Sequence, residues 1–437
     1  MAMQLAVIGV GHVGLVTAAC FAELGHQVVA VDQDTARIEG LQHGKMPFYE
    51  PELEPLVRRH LASQRLRVTT TIAEGVRQAQ LIFICVGTPQ RPDGSADLAA
   101  VEHVVCDIAQ HLSDYRLIIE KSTVPVETGH WIERTLQRHV KAGVEFDVAS
   151  NPEFLREGTA VHDFLYPDRI VLGVSSARAQ QLLLQLYAPL KAPIVTTDVK
   201  SAELIKHASN AFLAMKISFI NAIAQVCERV GADVTDVAEG MGLDPRIGRA
   251  FLNAGLGFGG FCFPKDLEAF IRIAEQVGYD FTLLKAVKQI NEDQKRHFVR
   301  RIESALWVLS GKTIGVLGLA FKAGTDDMRF APAIDIVRGL CEVGATVRAY
   351  DPQALSIANG LFRGLPVTLC NDPYAVAEGA DCLAIVTEWP EFKTLDFARL
   401  KSLLRQPTIV DGRNLLDPEA LRALGFQYVG IGRENPT

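Results

Sequence analysis

The chain has 437 residues, 48% hydrophobic and 22% charged, with a formal net charge of −7. That length is expected to divide into two or three domains, and the composition is globular, not disordered. The acidic balance argues against a nucleic-acid protein, yet leaves room for anionic ligands gripped by a few cations and helix N-termini.

The N-terminus enters a strand pattern at once, without a charged leader or cleavage site. "MQLAVIGVGHVGLVTAACFAELGHQVVAVDQD" reads as strand, tight turn, helix and strand, with Gly9-x-Gly11-x-x-Gly14 at the turn and Asp32 closing the second strand. GxGxxG alone is weak. Lodged between a strand and a helix, with an acid at that spacing, it predicts a dinucleotide site. Gly9 permits the turn, Gly11 lets backbone approach a pyrophosphate, and Gly14 lets helix and strand pack closely. The helix N-terminus offers N–H groups to the phosphates. Asp32 would accept from ribose hydroxyls and repel a 2′-phosphate, so NAD is expected in preference to NADP. Arg37 stands either against the adenine or phosphate end of such a ligand or on a solvated helix face.

"QLIFICVGTP" (80–89) and "RLIIEKSTVP" (116–125) are apolar runs ending in small polar residues and a proline. Ligands sit at the carboxyl ends of strands in an open parallel sheet, which places Thr88, Pro89, Ser122, Thr123 and Val124 at the cofactor cleft. Taken singly, each is an ordinary loop start. "FDVASNPEFLREG" (146–158) has the same form and delivers Asn151, Glu153 and Glu157 into a loop. From Asp198 to Gly231 runs a proline-free helical pattern, apolar on more than one side, as expected of a helix joining two domains or two subunits. No apolar run approaches the ~18 residues of a membrane span. Lys206 and Asn210 lie four apart and share a face of this helix, as a surface pair or as part of a site.

"GLGFGGFCFPKD" (255–266) crowds four glycines around Cys262, with Lys265 and Asp266 close behind. Glycines permit unusual backbone angles, which suits a nucleophile's setting or merely a tight turn. The eight cysteines (20, 85, 106, 227, 262, 341, 370, 382) are scattered without a C-x-x-C pair. Neither a zinc site nor a disulfide framework is expected, and a reducing cytoplasm is. In the last third, "GKTIGVLGLAF" and "ATVRAYDP" enclose a helical segment as the opening unit does, and "ADCLAIVTEWPEF" (380–392) echoes "AQLIFICVGTPQ" (79–90). Gly315-x-x-Gly318 lacks the pyrophosphate fingerprint, so the echo is architectural. NAD on one sheet and another nucleotide on a second implies a nucleotide-linked substrate.

"GVGHVG", "GTP", "KSTVPVETG", "NPEFLREG", "YPDRIVLG", "ELIKHASNAF", "GFGGFCFPKD", "GLAFKAGTDDMR" and "DGRN" follow in order. Over nearly its whole length the chain resembles the UDP-glucose/GDP-mannose dehydrogenase family. "DRIVLG" is more similar to the UDP-glucose branch than to the GDP-mannose one. Phe261 departs from the family, which usually carries serine before the cysteine. The resemblance implies two Rossmann-like, doubly wound α/β domains (1–197 for NAD, 301–437 for the UDP-sugar) joined by a long central helix and a helical dimerisation region (198–300).

The activity so implied is a four-electron oxidation of UDP-glucose at C6 with two NAD⁺ and one water, through a thiohemiacetal and thioester on Cys262. Lys206 and Asn210 match the pair that stabilises an oxyanion at C6, and Asp266, Glu153 and Thr123 match residues that order or activate the hydrolytic water. Cofactor contacts fall on Gly9, Val10, Gly11, His12, Val13, Gly14, Asp32, Arg37, Val86, Thr88, Pro89, Ser122, Thr123, Glu157, Lys265 and Arg329. Substrate contacts fall on Glu153, Phe154, Leu155, Arg156, Glu157, Lys206, Asn210, Phe251, Asn253, Gly255, Gly257, Phe258, Gly259, Cys262, Phe321, Lys322 and Arg413. Arg246 matches an arginine given by a partner subunit, so a homodimer or higher oligomer is implied. No metal, nucleic acid or membrane is. A dehydrogenase for another nucleotide sugar, GDP-mannose or UDP-N-acetylmannosamine, keeps the same catalytic set. A non-catalytic NAD sensor, or a simple two-electron dehydrogenase, has no use for the thiol.

Overall fold

The computed structural model describes residues 2–433. The chain divides into two units, Met1–Ser209 with Glu268–Tyr279, and Asn210–Leu267 with Asp280–Thr437.

The first unit is built on an eight-stranded sheet. Its strands are β1 (Gln4–Ile8), β2 (Gln27–Val31), β3 (Leu66–Thr69), β4 (Leu81–Ile84), β5 (Arg116–Glu120), β6 (Phe146–Ser150), β7 (Ile170–Gly173) and β8 (Ile194–Thr197). They lie in the order β3-β2-β1-β4-β5-β6-β7-β8. Every pairing is parallel except β6 with β7, which meet antiparallel at Ser150 and Gly173. The central strands β1, β4 and β5 read as near-continuous apolar runs because both faces are covered, whereas β3 and β8 are partly exposed. Leu5, Val7, Leu81, Phe83, Leu117 and Ile119 pack on one side with Leu15, Ala18 and Ala19 of the helix His12–Glu23. Ala6, Ile8, Ile82, Ile84 and Ile118 pack on the other with Val101, Val105 and Ile108 of the helix Ala99–His111.

The second unit repeats the plan. Strands β9 (Thr313–Leu317), β10 (Thr346–Tyr350), β11 (Val367–Leu369), β12 (Cys382–Ile385), β13 (Thr408–Asp411) and β14 (Gln427–Gly430) lie in the order β11-β10-β9-β12-β13-β14. Counted from its own first strand, that is 3-2-1-4-5-6, the doubly wound dinucleotide-binding order. The same order runs from β3 to β6 in the first sheet.

One helix, Val199–Val230, contributes residues to both units. An 18-residue window of it reaches a mean hydropathy of 1.3, so by length and composition it qualifies as a membrane span, contrary to the sequence reading. Its interior polar groups show it to be a core helix of a folded protein. Glu203, Lys206, His207, Asn210, Ser218 and Asn221 are all buried and hydrogen-bonded to protein groups.

Candidate active site

In the first unit, the sheet order reverses between β1 and β4, which opens a crevice at the strands' carboxyl ends. Gly9, with φ +96°, turns the chain out of β1, and a Cβ there would meet the Cys85 carbonyl oxygen at 2.6 Å. A Cβ on Gly14 would stand 1.8 Å from the Gly9 oxygen, whereas one on Gly11 would meet no protein atom within 4 Å. Gly11 caps the helix His12–Glu23 without a side-chain hydrogen bond, so the first-turn N–H groups are available to an anion. Asp32 accepts from Val10 N at 2.8 Å and pairs with Arg37 Nη1 at 2.9 Å.

Gly9, Gly11, Asp32, Arg37, Val86 and Pro89 line one cleft of about 870 Å³, a size suited to a dinucleotide. Thr88 and Ser122, which do not line that cleft, brace its loops through their hydroxyls. The Thr88 hydroxyl donates to the Thr123 carbonyl at 2.8 Å, and that of Ser122 to the Val86 carbonyl at 2.8 Å. His12 stacks on Phe48 and lies 2.8 Å from Glu50.

The loop after β6 carries Glu153, whose Oε1 pairs with Lys206 Nζ at 3.0 Å while Oε2 accepts from Leu155 N at 2.5 Å. Both partners of the ion pair are buried. The Phe154 ring lies beneath the Arg169 guanidinium, and Arg156 forks onto Asp163. His207 donates from Nε2 to the Val124 carbonyl at 2.7 Å, which ties the loop after β5 to the long helix.

In the second unit, Cys262 is the first residue of the helix Cys262–Gln276. A helix N-terminus favours negative charge on a group placed there, and Pro264 is tolerated in the first turn. Burial pushes up the thiols of the other seven cysteines, that of Cys85 to about 12. Asp266, buried, accepts from Asn210 Nδ2 at 2.7 Å and from Lys265 Nζ at 2.6 Å.

The glycines ahead of Cys262 serve close packing. Gly257 (φ +95°) puts its α-carbon where a Cβ would strike Asn291 Oδ1 at 2.4 Å, and Gly260 (φ +77°) presses on the Phe321 ring. Three buried amides grip the loop backbone. Asn221 accepts from Gly255 N, Gln294 donates to Gly255 O, and Asn291 bonds both N–H and C=O of Phe258.

Asn253 and Arg413 line a cleft of about 410 Å³ with Arg249, Glu388 and Lys393. Arg413 is set by Asp411, which accepts from its backbone N–H, and its side chain reaches the Val386 carbonyl at 2.7 Å and Glu388 at 3.1 Å. Phe251 holds φ +65° beside Phe263. Arg246 is 87% exposed, does not line this cleft, and is chelated by Asp244.

Three family models, described as the NAD binding, central and UDP binding domains of the UDP-glucose/GDP-mannose dehydrogenase family, match residues 3–191, 200–293 and 315–418. The chain belongs to this family. It is 48% identical to the UDP-glucose 6-dehydrogenase TuaD of Bacillus subtilis, covering 98% of this chain and 93% of that one. It is 46% identical to the UDP-glucose 6-dehydrogenase of Rhizobium meliloti over 99% of this chain and 100% of that one. Among solved structures, a UDP-glucose dehydrogenase from Pyrobaculum islandicum superposes with a TM-score of 0.92 at 41% identity, covering 99% of this chain and 98% of that one. The family uses NAD, and the cradle around Gly11 and Asp32 fits it.

The structure also brings forward residues that motif reading passed over. Glu50, buried, accepts from Gly158 N at 2.8 Å and Ala160 N at 2.9 Å and meets His12. It fastens the end of the loop after β6 to the helix His12–Glu23. Lys121, beside the predicted Ser122, is buried with Nζ 3.0 Å from Asn151 Oδ1, and burial holds its ammonium down to about 8. "PFYEPEL" offers no periodic or catalytic signature, and a lysine that ends an apolar strand looks like a solvated one.

Proposed function

We propose that the chain oxidises the C6 alcohol of UDP-glucose to a carboxylate, releasing UDP-glucuronate. The observation that carries this reading is Cys262 at a helix N-terminus, at the end of a gripped loop, with Lys265 and Asp266 following it and Asn210 bonded to Asp266. NAD⁺ supplies the hydride acceptor, twice per sugar. The chain's own groups do the rest. After the first oxidation, which releases a hydride and a proton, Cys262 Sγ adds to the C6 aldehyde carbon and the thiol proton passes to the carbonyl oxygen, giving a thiohemiacetal that keeps the reactive carbonyl from escaping. Loss of a second hydride makes a thioester, and water cleaves the C–S bond to return the thiol and the carboxylate. Two hydrides and three protons leave per sugar.

Lys206 and Asn210 donate to the oxygen on C6 as it gains charge. Glu153, Asp266 and Thr123 order the attacking water. The Gly9–Gly14 turn, Asp32 and Arg37 hold the dinucleotide, with Val86, Thr88, Pro89, Ser122, Glu157, Lys265 and Arg329 around it. Asn253, Phe321, Lys322 and Arg413 hold the nucleotide sugar, with 153–157 and the glycine loop 255–260. The chain works in three parts, 1–197, 198–300 and 301–437, as a cytoplasmic homodimer. A row of exposed apolar side chains on the long helix, Phe212, Phe219, Val226 and Val230, supports the dimer, and Arg246 reaches the substrate of the second subunit.

The test counts NADH formed per UDP-glucose consumed, for wild type and Cys262→Ala. A ratio of two that the substitution abolishes is expected. A wild-type ratio of one overturns the four-electron reading, and turnover of GDP-mannose in place of UDP-glucose overturns the substrate.

A further inference from the structure

The ring of Phe261, directly before Cys262, lies beneath the guanidinium of Arg329, whose Cζ is 4.2 Å from the ring centroid. The edge of the same guanidinium is forked by Asp327, with Nε at 2.9 Å from each carboxylate oxygen and Nη2 at 2.6 Å from Oδ2. Arg329 is still 52% exposed, and the carboxylate and the aromatic face both bear on its orientation. A second cation, Lys265 Nζ, stands 5.5 Å from the ring and is fixed by Asp266. A cation within about 6 Å of a ring face is attracted by the ring quadrupole. A carboxylate fork sets only the plane of a guanidinium, while the ring also blocks swinging of the long side chain.

We infer that Phe261 is a positioning residue that holds Arg329 ready for the pyridine dinucleotide. The inference rests on the proposal that Arg329 contacts the cofactor. A side chain ordered in advance loses less freedom on binding, so the effect falls on cofactor affinity and not on the chemical steps. Serine at 261 has no π face, and leucine fills the space without a quadrupole.

The experiment measures the NAD⁺ dissociation constant, the KM for NAD⁺ and kcat for the full chain carrying Phe261→Leu, Phe261→Tyr, Arg329→Ala, and Phe261→Leu with Arg329→Ala. Thermal melting checks that each is folded. Phe261→Leu is expected to weaken NAD⁺ about 2–5-fold, the scale of an exposed cation–π contact, with kcat at saturating NAD⁺ unchanged. Phe261→Tyr should bind as wild type, and Phe261→Leu should add nothing once Arg329 is alanine. Wild-type affinity in Phe261→Leu beside weak binding in Arg329→Ala overturns the inference alone. Tyrosine as weak as leucine also overturns it. Wild-type affinity in Arg329→Ala overturns the cofactor assignment of Arg329 and the inference with it.

Discussion

Gly11 and Gly14 stand three residues apart and are required for opposite reasons. The backbone of Gly11, at φ −77° and ψ −166°, is open to any residue, and its missing Cβ clears space only for a ligand. Gly11→Ala should therefore melt as wild type yet raise the KM for NAD⁺ at least about tenfold, roughly 1.4 kcal/mol. Gly14→Ala drives a methyl group into the Gly9 carbonyl. It should destabilise the first unit by more than the ~1–3 kcal/mol typical of overpacking, visible in a thermal melt without cofactor. Lys206→Met should lower kcat by about 10²–10³ in steady-state assays and leave Glu153 buried without its cation. These positions stood out in the sequence because a glycine or a lysine in an apolar setting demands a reason, and the burial of Lys206 removes the surface-pair reading. Glu50 was not, since its partners lie 108 and 110 residues away and no local pattern announces them.

The elements around β5 carry a titration of their own. Glu120, the last residue of β5, is fully buried, and burial pushes its carboxyl up to about 8. Glu203 caps the helix Thr128–His139 through Glu127 N and Gly129 N, and burial pushes it up to about 7. Both ordinarily titrate near 4.5, so the folded state binds more protons than the unfolded one between that value and about 8. Their contribution is complete at low pH and fades as pH rises through the window. Tm should fall between about pH 5 and pH 8, and Glu120→Gln, neutral throughout, should flatten the fall. Above about pH 8 the depressed Lys121 adds the opposite slope. Strands β1, β2, β4, β5 and β6 of the first sheet and β9, β10, β12 and β13 of the second were legible from their apolar runs, whereas β3, β8 and β11, short and partly exposed, were not. The antiparallel meeting of β6 and β7 was not, because residues buried on both faces read alike in either direction.

At the scale of the whole chain, two sheets share one plan and diverge at one acid. Gly318 N bonds Tyr350 O as Gly9 N bonds Val31 O, both at 2.8 Å. Asp351 then stands where Asp32 does, but its two oxygens accept from Leu319, Ala320, Gln353, Ala354 and the Trp389 indole. With 0% exposure, it has no capacity left for a ribose. The sequence showed the echo and the lost fingerprint; only coordinates show the acid turned into an internal brace. The exposed row on the long helix makes a further prediction. On the proposed dimer, Phe219→Glu would place a charge between subunits, and it should give a monomer by light scattering and, with Arg246 in its proposed role, lose turnover. The distribution of thiols has a practical consequence. Cys106, Cys262 and Cys341 are part-exposed, but burial raises the first and last and only Cys262 opens a helix, so the polypeptide carries its own single-point reporter. One equivalent of a haloacetamide at neutral pH should mark one peptide, 262 within it, and the stoichiometry of that mark would count working centres in any preparation.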